Sequence, residues 1–205
     1  MNREQQEYEM REIAIEAWNI IFGRALFTYI SLPTPWVTGY QINDPVVTNR
    51  ILYRNLMWVG VGETECLISR EGGEQKRPIL DFKLKVTVDL QREGPVAPSS
   101  ETLQKHHEKK GHQIIKQGEL QAGGHTGRFV VWKSHRPRFY IFGSPRLIAR
   151  IEGYIPCDET NRLLTLTWTS PSSNLILKHS DTLIACLNSI LCHGHDLAPD
   201  EAIFF

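Results

Sequence analysis

Residues 80–90 of this chain have the sequence LDFKLKVTVDL, in which apolar and polar side chains alternate. The apolar side chains occupy every second position: Leu80, Phe82, Leu84, Val86, Val88 and Leu90. Successive side chains of a β-strand point to opposite faces, so a period of two places all six on one face. A strand with one buried and one solvated face is typical of an antiparallel sheet. This stretch therefore predicts a long strand in such a sheet.

The segments around this strand predict further hairpins. Residues 56–69 are rich in β-branched and aromatic side chains, and a glycine-containing turn at 71–74 separates them from the long strand. Two more hairpins are expected over residues 112–134 and 147–169, each with a turn near its middle. Runs of adjacent hairpins favour an antiparallel sheet over alternating strands and helices.

Helical periodicity predicts a helix at each end of the chain. In residues 1–24 the apolar side chains recur at spacings of three and four, namely Met10, Ile13, Ala14, Ala17, Trp18 and Ile21. The same spacing recurs in residues 173–192, which Ser172 or Ser173 could cap. A shorter helix is expected near 99–110. The predicted fold class is α+β, an α/β/α sandwich in which an antiparallel sheet is flanked by amphipathic N-terminal and C-terminal helices.

Length and composition indicate one domain over residues 1–205. The chain has 205 residues, of which 41% are hydrophobic and 22% charged, close to the average of globular proteins. The expected sheet spans residues 50–170, and residues 193–205 form a tail. The sequence shows no repeat and no composition typical of a linker.

The cysteines and the N-terminal residues indicate a cytoplasmic protein. Four cysteines, with no Cys-x-x-Cys pair, do not form a disulfide framework; they are Cys66, Cys157, Cys186 and Cys192. The first twelve residues include several glutamates, where an export signal would be basic, and Arg24 interrupts the apolar run at 20–32. We therefore expect reduced thiols and no membrane association.

The order of the elements carries a family resemblance. Its local features are Gly118-Glu119-Leu120 through Gly127-Arg128-Phe129, then residues 162–168, then a helix ending at 187–192. Over residues 25–192 the chain resembles the PsbP-like fold, which the photosystem II extrinsic P protein shares with bacterial lipoproteins and a yeast Ran-binding import factor. The resemblance implies a binding or assembly factor that is not an enzyme, and it carries over no functional residue.

A basic, aromatic segment is the first candidate binding site. Residues 105–150 contain ten lysines and arginines but two acids, and they include five of the eight histidines. Cations attract phosphate, and exposed rings can stack on bases. An RNA or single-stranded DNA site over residues 128–150 would use Arg128, Trp132, Lys133, His135, Arg136, Arg138, Tyr140 and Arg146. In the alternative interpretation the aromatic side chains fill the core and the cations form a solvated face.

A second candidate site would hold a metal ion. Four side chains that commonly bind metals follow the last predicted helix: Cys192, His193, His195 and Asp196. The alternative is a polar tail. His106, His107 and His112 form a weaker cluster, since neighbouring residues of a helix point to different parts of its surface.

No catalytic or cofactor motif is visible in the sequence. There is no P-loop and no GxGxxG, and the glycine cluster at 123–127 joins two predicted strands. We therefore expect no cofactor and a binding or assembly module that meets a protein partner or a second copy of itself. The alternatives are nucleic-acid binding through residues 128–150 and a metal-dependent enzyme with an unrecognised site.

Overall fold

The computed structural model describes residues 9–19, 23–40, 52–54, 57–59, 62–70, 80–91, 93–136 and 146–192. Over these ranges the chain is mostly antiparallel β-sheet with a few helices. In chain order the elements are β1 (Met10–Asn19), β2 (Gly23–Pro33), β3 (Val37–Tyr40), β4 (Leu52–Arg54), β5 (Met57–Val59), β6 (Gly62–Ser69), β7 (Phe82–Leu90), α1 (Ser100–Lys109), β8 (Gln113–Ala122), β9 (His125–Arg136), β10 (Arg146–Cys157), β11 (Arg162–Thr169), α2 (Ser173–Lys178) and α3 (Ser180–Asn188).

A seven-stranded sheet forms the centre, and the antiparallel sheet expected from the sequence is confirmed. Its strand order is β3-β6-β7-β11-β10-β9-β8, with antiparallel pairing between all neighbours. Four apolar side chains of β7 are fully buried: Phe82, Leu84, Val86 and Val88. On the other face of β7, Lys83 and Lys85 pair with Glu65 and Glu63 of β6. The alternating pattern of β7 therefore separates a core face from a charged face.

The prediction of an N-terminal helix over residues 1–24 is wrong for the part of this range that the structure describes. Residues 10–19 form β1, which pairs with β2 in an antiparallel hairpin. Ile13 and Ile15 share one face of β1, and Ile15 is buried in the core. β-Branched side chains suit a pleated surface, and pairing with β2 outweighs the helical spacing of the other apolar residues. Residues 1–8 and 20–22 lie outside the described ranges.

The C-terminal segment forms two helices where the sequence predicted one. α2 and α3 are separated at His179, whose ring packs edge-on against Phe82 and whose Nε2 lies 3.0 Å from Arg70 Nη1. Ser173 does not cap its helix. Its hydroxyl donates to the Leu147 carbonyl and accepts a hydrogen bond from the Ala149 amide, which ties α2 to β10. No helix in the described ranges is both long and apolar enough to cross a membrane.

Helices cover both faces of the sheet near β10. Neighbouring residues of a strand face opposite sides. Glu152 lies near His107 of α1, with 3.9 Å between Oε2 and Nε2, whereas a Cβ added to Gly153 would lie 3.0 Å from Leu187 of α3. α1 and α3 therefore pack on opposite faces. The β1–β2 hairpin joins the α3 side through paired backbone hydrogen bonds between Tyr29 and Leu191.

Replacing Gly127 by alanine is expected to destabilise the fold. A Cβ at this position of β9 would meet the Tyr154 carbonyl oxygen on the neighbouring strand. Because backbone atoms cannot move aside without disturbing the ladder, we expect Gly127→Ala to lower the free energy of unfolding by about 1–3 kcal/mol. Urea denaturation followed by circular dichroism measures this change.

Gly118→Ala is the matched control, because a Cβ there would lie 2.8 Å from a ring carbon of Phe129, so it would meet a side chain and not the backbone. Its cost should be the smaller of the two. Equal losses for both variants would contradict the steric role assigned to the Tyr154 carbonyl.

Candidate functional site

A polar pocket, the histidine pocket, lies where α1 ends above β9 and β10. Its volume is about 470 Å³, within the range of small-ligand sites. Gly111, with φ at +67°, reverses the chain between α1 and β8 at the rim. The pocket is lined by His106, His107, Lys110, His112, Trp132, Ser134, His135, Ile148, Arg150 and Glu152.

α1 places His107 at the bottom of this pocket. Ser99 is the N-cap of the helix, and its hydroxyl accepts a hydrogen bond from the Thr102 amide at 3.1 Å. Leu103 and His107 lie four residues apart and therefore share the face that packs on the sheet. The side chain of His107 is about 1% exposed, whereas His106 lies exposed at the rim.

His107 and His112 face each other through their Nδ1 atoms, which are 3.1 Å apart. The chain reversal brings them together, because the His112 amide donates to the His107 carbonyl at 2.9 Å. One Nδ1 must donate and the other accept, so at least one ring carries an unprotonated Nδ1. The pair can therefore take up one additional proton without losing its contact, and a second would disrupt it.

Trp132 forms one wall of the pocket. Its ring stacks on His112 with 3.9 Å between centroids and 6° between planes. The Arg150 guanidinium lies 5.5 Å from the centre of the same indole, in a cation–π arrangement. Arg150 pairs with Trp132 across the β9–β10 ladder, so the register of the two strands sets this contact.

Glu152 is the one carboxylate among the described residues that line the pocket. Its Oε1 accepts a hydrogen bond from Trp132 Nε1 at 2.8 Å, and its Oε2 accepts one from the Tyr154 hydroxyl at 2.7 Å. Burial, and then the charge and hydrogen bond of Glu152, raise the pKa of Tyr154, so the phenol keeps its proton and donates. Both oxygens of this acid are thus engaged by the wall of the pocket.

The two facing histidines are held towards the neutral form. Burial is the main cause that lowers the pKa of His107, and the Glu152 carboxylate opposes it. Burial and then the Lys110 charge lower the pKa of His112. At neutral pH the fixed cations of the pocket are therefore Lys110 and Arg150.

The described residues among those proposed for nucleic-acid binding lie at different places. Trp132 and His135 line the pocket, but Trp132 is only 5% exposed and is not available to stack on a base. Arg128 lies outside the pocket lining, where its guanidinium donates to the Ser100 hydroxyl at 2.6 Å and lies 3.6 Å from Glu119. Lys133, adjacent to Trp132, points to the other face of β9.

The remaining residues of that proposal cannot be placed in a site. Arg136 and Arg146 are paired where β9 ends and β10 begins, and their side chains are not described. Arg138 and Tyr140 lie outside the described ranges. Nucleic-acid binding finds no support in the residues that are described.

The predicted metal cluster is only partly within the described chain. Cys192 is buried, and His193, His195 and Asp196 lie outside the described ranges. The structure brings Cys192 together with two other residues, His125 and Cys157. One ligand atom from each of the three lies within 4.8 Å of the others.

Sequence reasoning missed five residues of the pocket, and three of them are charged: Lys110, Arg150 and Glu152. The histidine cluster and Trp132 were noted separately, but nothing in the chain order links them to an acid in a later strand. The order of the predicted strands could have linked them. In an antiparallel meander, the strand that follows the hairpin over residues 112–134 contains residues 147–155 and lies beside the strand of Trp132.

Comparisons with known proteins concern the fold alone. No family model matches the chain, and no curated protein does. Among solved structures, the chain is similar to cyanobacterial PsbP (CyanoP) from Synechocystis sp. PCC 6803, with 7% identity, a TM-score of 0.42, and coverage of 94% of this chain and 98% of that one. It is also similar to the Saccharomyces cerevisiae Ran-binding protein Mog1p, with 7% identity, a TM-score of 0.43, and coverage of 89% and 90%.

The two matches are to the kinds of protein that the sequence resembles. At this identity and TM-score, neither likeness bears on function. The function must therefore be argued from the pocket itself.

Stability is expected to fall as the pH drops below about 6.5, the ordinary pKa of histidine. The folded state lowers the pKa of His107 mainly by burial, so below that pH the unfolded chain binds a proton that the folded chain resists. Stability is therefore retained above the ordinary pKa of histidine. It is lost as the pH falls towards the lower pKa that His107 has in the folded state. His107→Gln should flatten this dependence between pH 7 and pH 5 in urea titrations.

His106→Gln is the control, because that ring lies exposed one residue away. Because His106 is only a lesser cause of the lowered pKa of His107, this variant should change the slope much less than His107→Gln does. Burial also lowers the pKa values of His112 and His179. Some dependence of stability on pH should therefore remain in His107→Gln. An unchanged slope in His107→Gln would contradict the assignment of a buried, neutral ring.

Proposed function

We propose that this protein is a binding module that holds an anionic side-chain group of a protein partner, a phosphate or a carboxylate, in the histidine pocket. The observation that carries the proposal is the charge of the lining. Two fixed cations and four histidines face a cavity whose one described carboxylate, Glu152, is already engaged by two donors.

The fixed cations supply attraction at neutral pH. Lys110 stands at the end of α1 and Arg150 on β10, so they approach the cavity from different elements. Hydrogen bonds from charged donors to phosphate or carboxylate are the strong ones, and the planar guanidinium can offer two at once. An anion entering between them would meet donors from two sides.

The histidine pair adds a dependence on pH. His107 and His112 share a contact that accepts one additional proton, and that proton places a positive charge on the pocket wall. Because an anion favours the protonated form, anion binding and proton uptake strengthen each other. Affinity for an anion should therefore rise as the pH falls through the range in which the pair titrates.

Two of the four described thiols are poorly suited to nucleophilic catalysis. Cys66 and Cys186 are fully buried, and burial raises the pKa of each to about 12. A buried thiol that keeps its proton is a poor nucleophile. Neither thiol lies in the pocket lining.

Binding of small anionic probes tests the proposal. Inorganic phosphate, N-acetyl-O-phosphoserine amide and N-acetylglutamate amide are titrated into 15N-labelled protein, with N-acetylserine amide as the neutral probe. We expect the anionic probes to shift the resonances of the pocket residues, with higher affinity at pH 5.5 than at pH 7.5. Lys110→Gln and Arg150→Gln should each weaken binding about tenfold, the loss of one charge-assisted hydrogen bond.

Lys105→Gln is the matched control, since Lys105 lies on the outer surface of α1 in an exposed pair with Glu101. It should leave the affinity unchanged. Equal binding of the neutral probe would contradict the proposal. The proposal would also be contradicted if the anionic probes shifted no resonances of the protein while an oligonucleotide shifted those of residues outside the pocket.

A further inference from the structure

A buried cluster of His125, Cys157 and Cys192 lies on the face of the sheet opposite the histidine pocket. One ligand atom from each residue lies within 4.8 Å of the other two. Cys157 and Cys192 are 0% and 2% exposed, and the His125 side chain is 11% exposed. Thiolate sulfur and imidazole nitrogen are the donors that soft metal ions prefer.

Three separate parts of the fold meet at this cluster. His125 begins β9 after the turn at Gly123, and Cys157 ends β10. Cys192 follows Leu191, whose backbone pairs with Tyr29 of β2. Gly123 has φ at +57°, and a Cβ there would lie 3.0 Å from the Ile190 carbonyl, so only glycine lets the turn approach this segment.

A buried guanidinium adjoins the cluster. Arg162 is 1% exposed and donates to the carbonyl oxygens of Phe27 and Cys192. Among the residues that the structure describes, no carboxylate forms an ion pair with it. A metal ion bound by Cys157 and Cys192 would displace the thiol protons, and the two thiolates would then lie beside this guanidinium.

Further contacts prepare the donors for a metal ion. Arg162 Nε donates to the Thr160 hydroxyl at 2.9 Å, and that hydroxyl donates to Cys157 Sγ at 2.9 Å, which favours the thiolate. His125 Nδ1 lies 3.1 Å from Asp158 Oδ1. An Nδ1–H that donates to a carboxylate leaves the ring's lone pair on Nε2, the arrangement common to metal-binding histidines. Asp158 is 83% exposed, so this side of the cluster faces solvent.

We propose that His125, Cys157 and Cys192 form a site for a thiophilic d10 metal ion, and that the ion is copper(I). Binding releases the two thiol protons to solvent and forms two metal–sulfur bonds and one metal–nitrogen bond. With metal–sulfur bonds of about 2.3 Å, two sulfurs lie between about 3.8 Å apart in tetrahedral geometry and about 4.6 Å in linear geometry. The ligand atoms of the cluster all lie within 4.8 Å of one another, a spacing of this size.

Charge favours copper(I) over zinc. Two thiolates and copper(I) carry one negative charge, which the Arg162 guanidinium balances. The same donors around Zn²⁺ are neutral and leave the buried guanidinium without a counter-charge.

The test is a competition for copper(I) under anaerobic, reducing conditions. Full-length protein is titrated against the chromogenic chelator bicinchoninate, and we expect it to withdraw one equivalent of copper(I). X-ray absorption of the complex should show two sulfur neighbours and one nitrogen neighbour. Cys157→Ser and Cys192→Ser should lose this binding. Cys186→Ser is the matched control, since Cys186 is a buried thiol of α3 outside the cluster, and it should keep it.

Asp158→Ala keeps the test decisive if the core cysteine variants do not fold, because Asp158 is exposed. It removes the partner that orients His125 and should weaken copper(I) binding about 10-fold to 100-fold, with an unchanged circular dichroism spectrum. Protein that captures no copper(I), or a folded Cys157→Ser variant that binds it as tightly as the parent, would overturn the proposal. Tight binding of zinc without copper(I) would overturn the choice of ion.

Discussion

The antiparallel ladder of β9, β10 and β11 is the constraint on which both sites depend. It sets Arg150 opposite Trp132, and it turns Glu152 and Gly153 to opposite faces of the sheet. A slip of one residue would exchange these faces and place the Glu152 carboxylate among the core side chains near α3. The buried apolar residues of β10 and β11 oppose such a slip, so the core holds the register that builds the pocket.

On the face of the sheet that carries α1, burial and the Glu152 charge have opposite effects on the pKa of His107. His107 is packed between α1 and the sheet, where hydration of a charged ring is lost, yet it faces His112 and Glu152. The ring is therefore kept neutral while remaining close to a proton donor or acceptor on each side. The permanent charges of Lys110 and Arg150 line the same cavity. Such a pocket attracts anions at neutral pH and becomes more attractive as the pH falls.

On the inner face, Arg162 connects segments that are distant in the chain. Its guanidinium reaches the carbonyl of Phe27 in β2, the carbonyl of Cys192 and the hydroxyl of Thr160. A buried charge needs such partners, because the cost of removing it from water is otherwise not offset. These hydrogen bonds hold the N-terminal hairpin and the C-terminal segment against the ends of β10 and β11. The sheet separates this region from the histidine pocket, so we expect the two sites to bind their ligands independently.

The sequence by itself determined the antiparallel sheet, because a period of two is a local property that residues 80–90 display without any partner. It also drew attention to the histidines near 106–112, to Trp132 and to Cys192. Only the tertiary structure decided the rest. Residues 10–19 carry a helical spacing as well as β-branched side chains, and pairing with β2 selects the strand. Glu152 joins His107, and His125 joins the two cysteines, through strand register and chain reversal, which act between residues too distant in sequence for any local pattern to report.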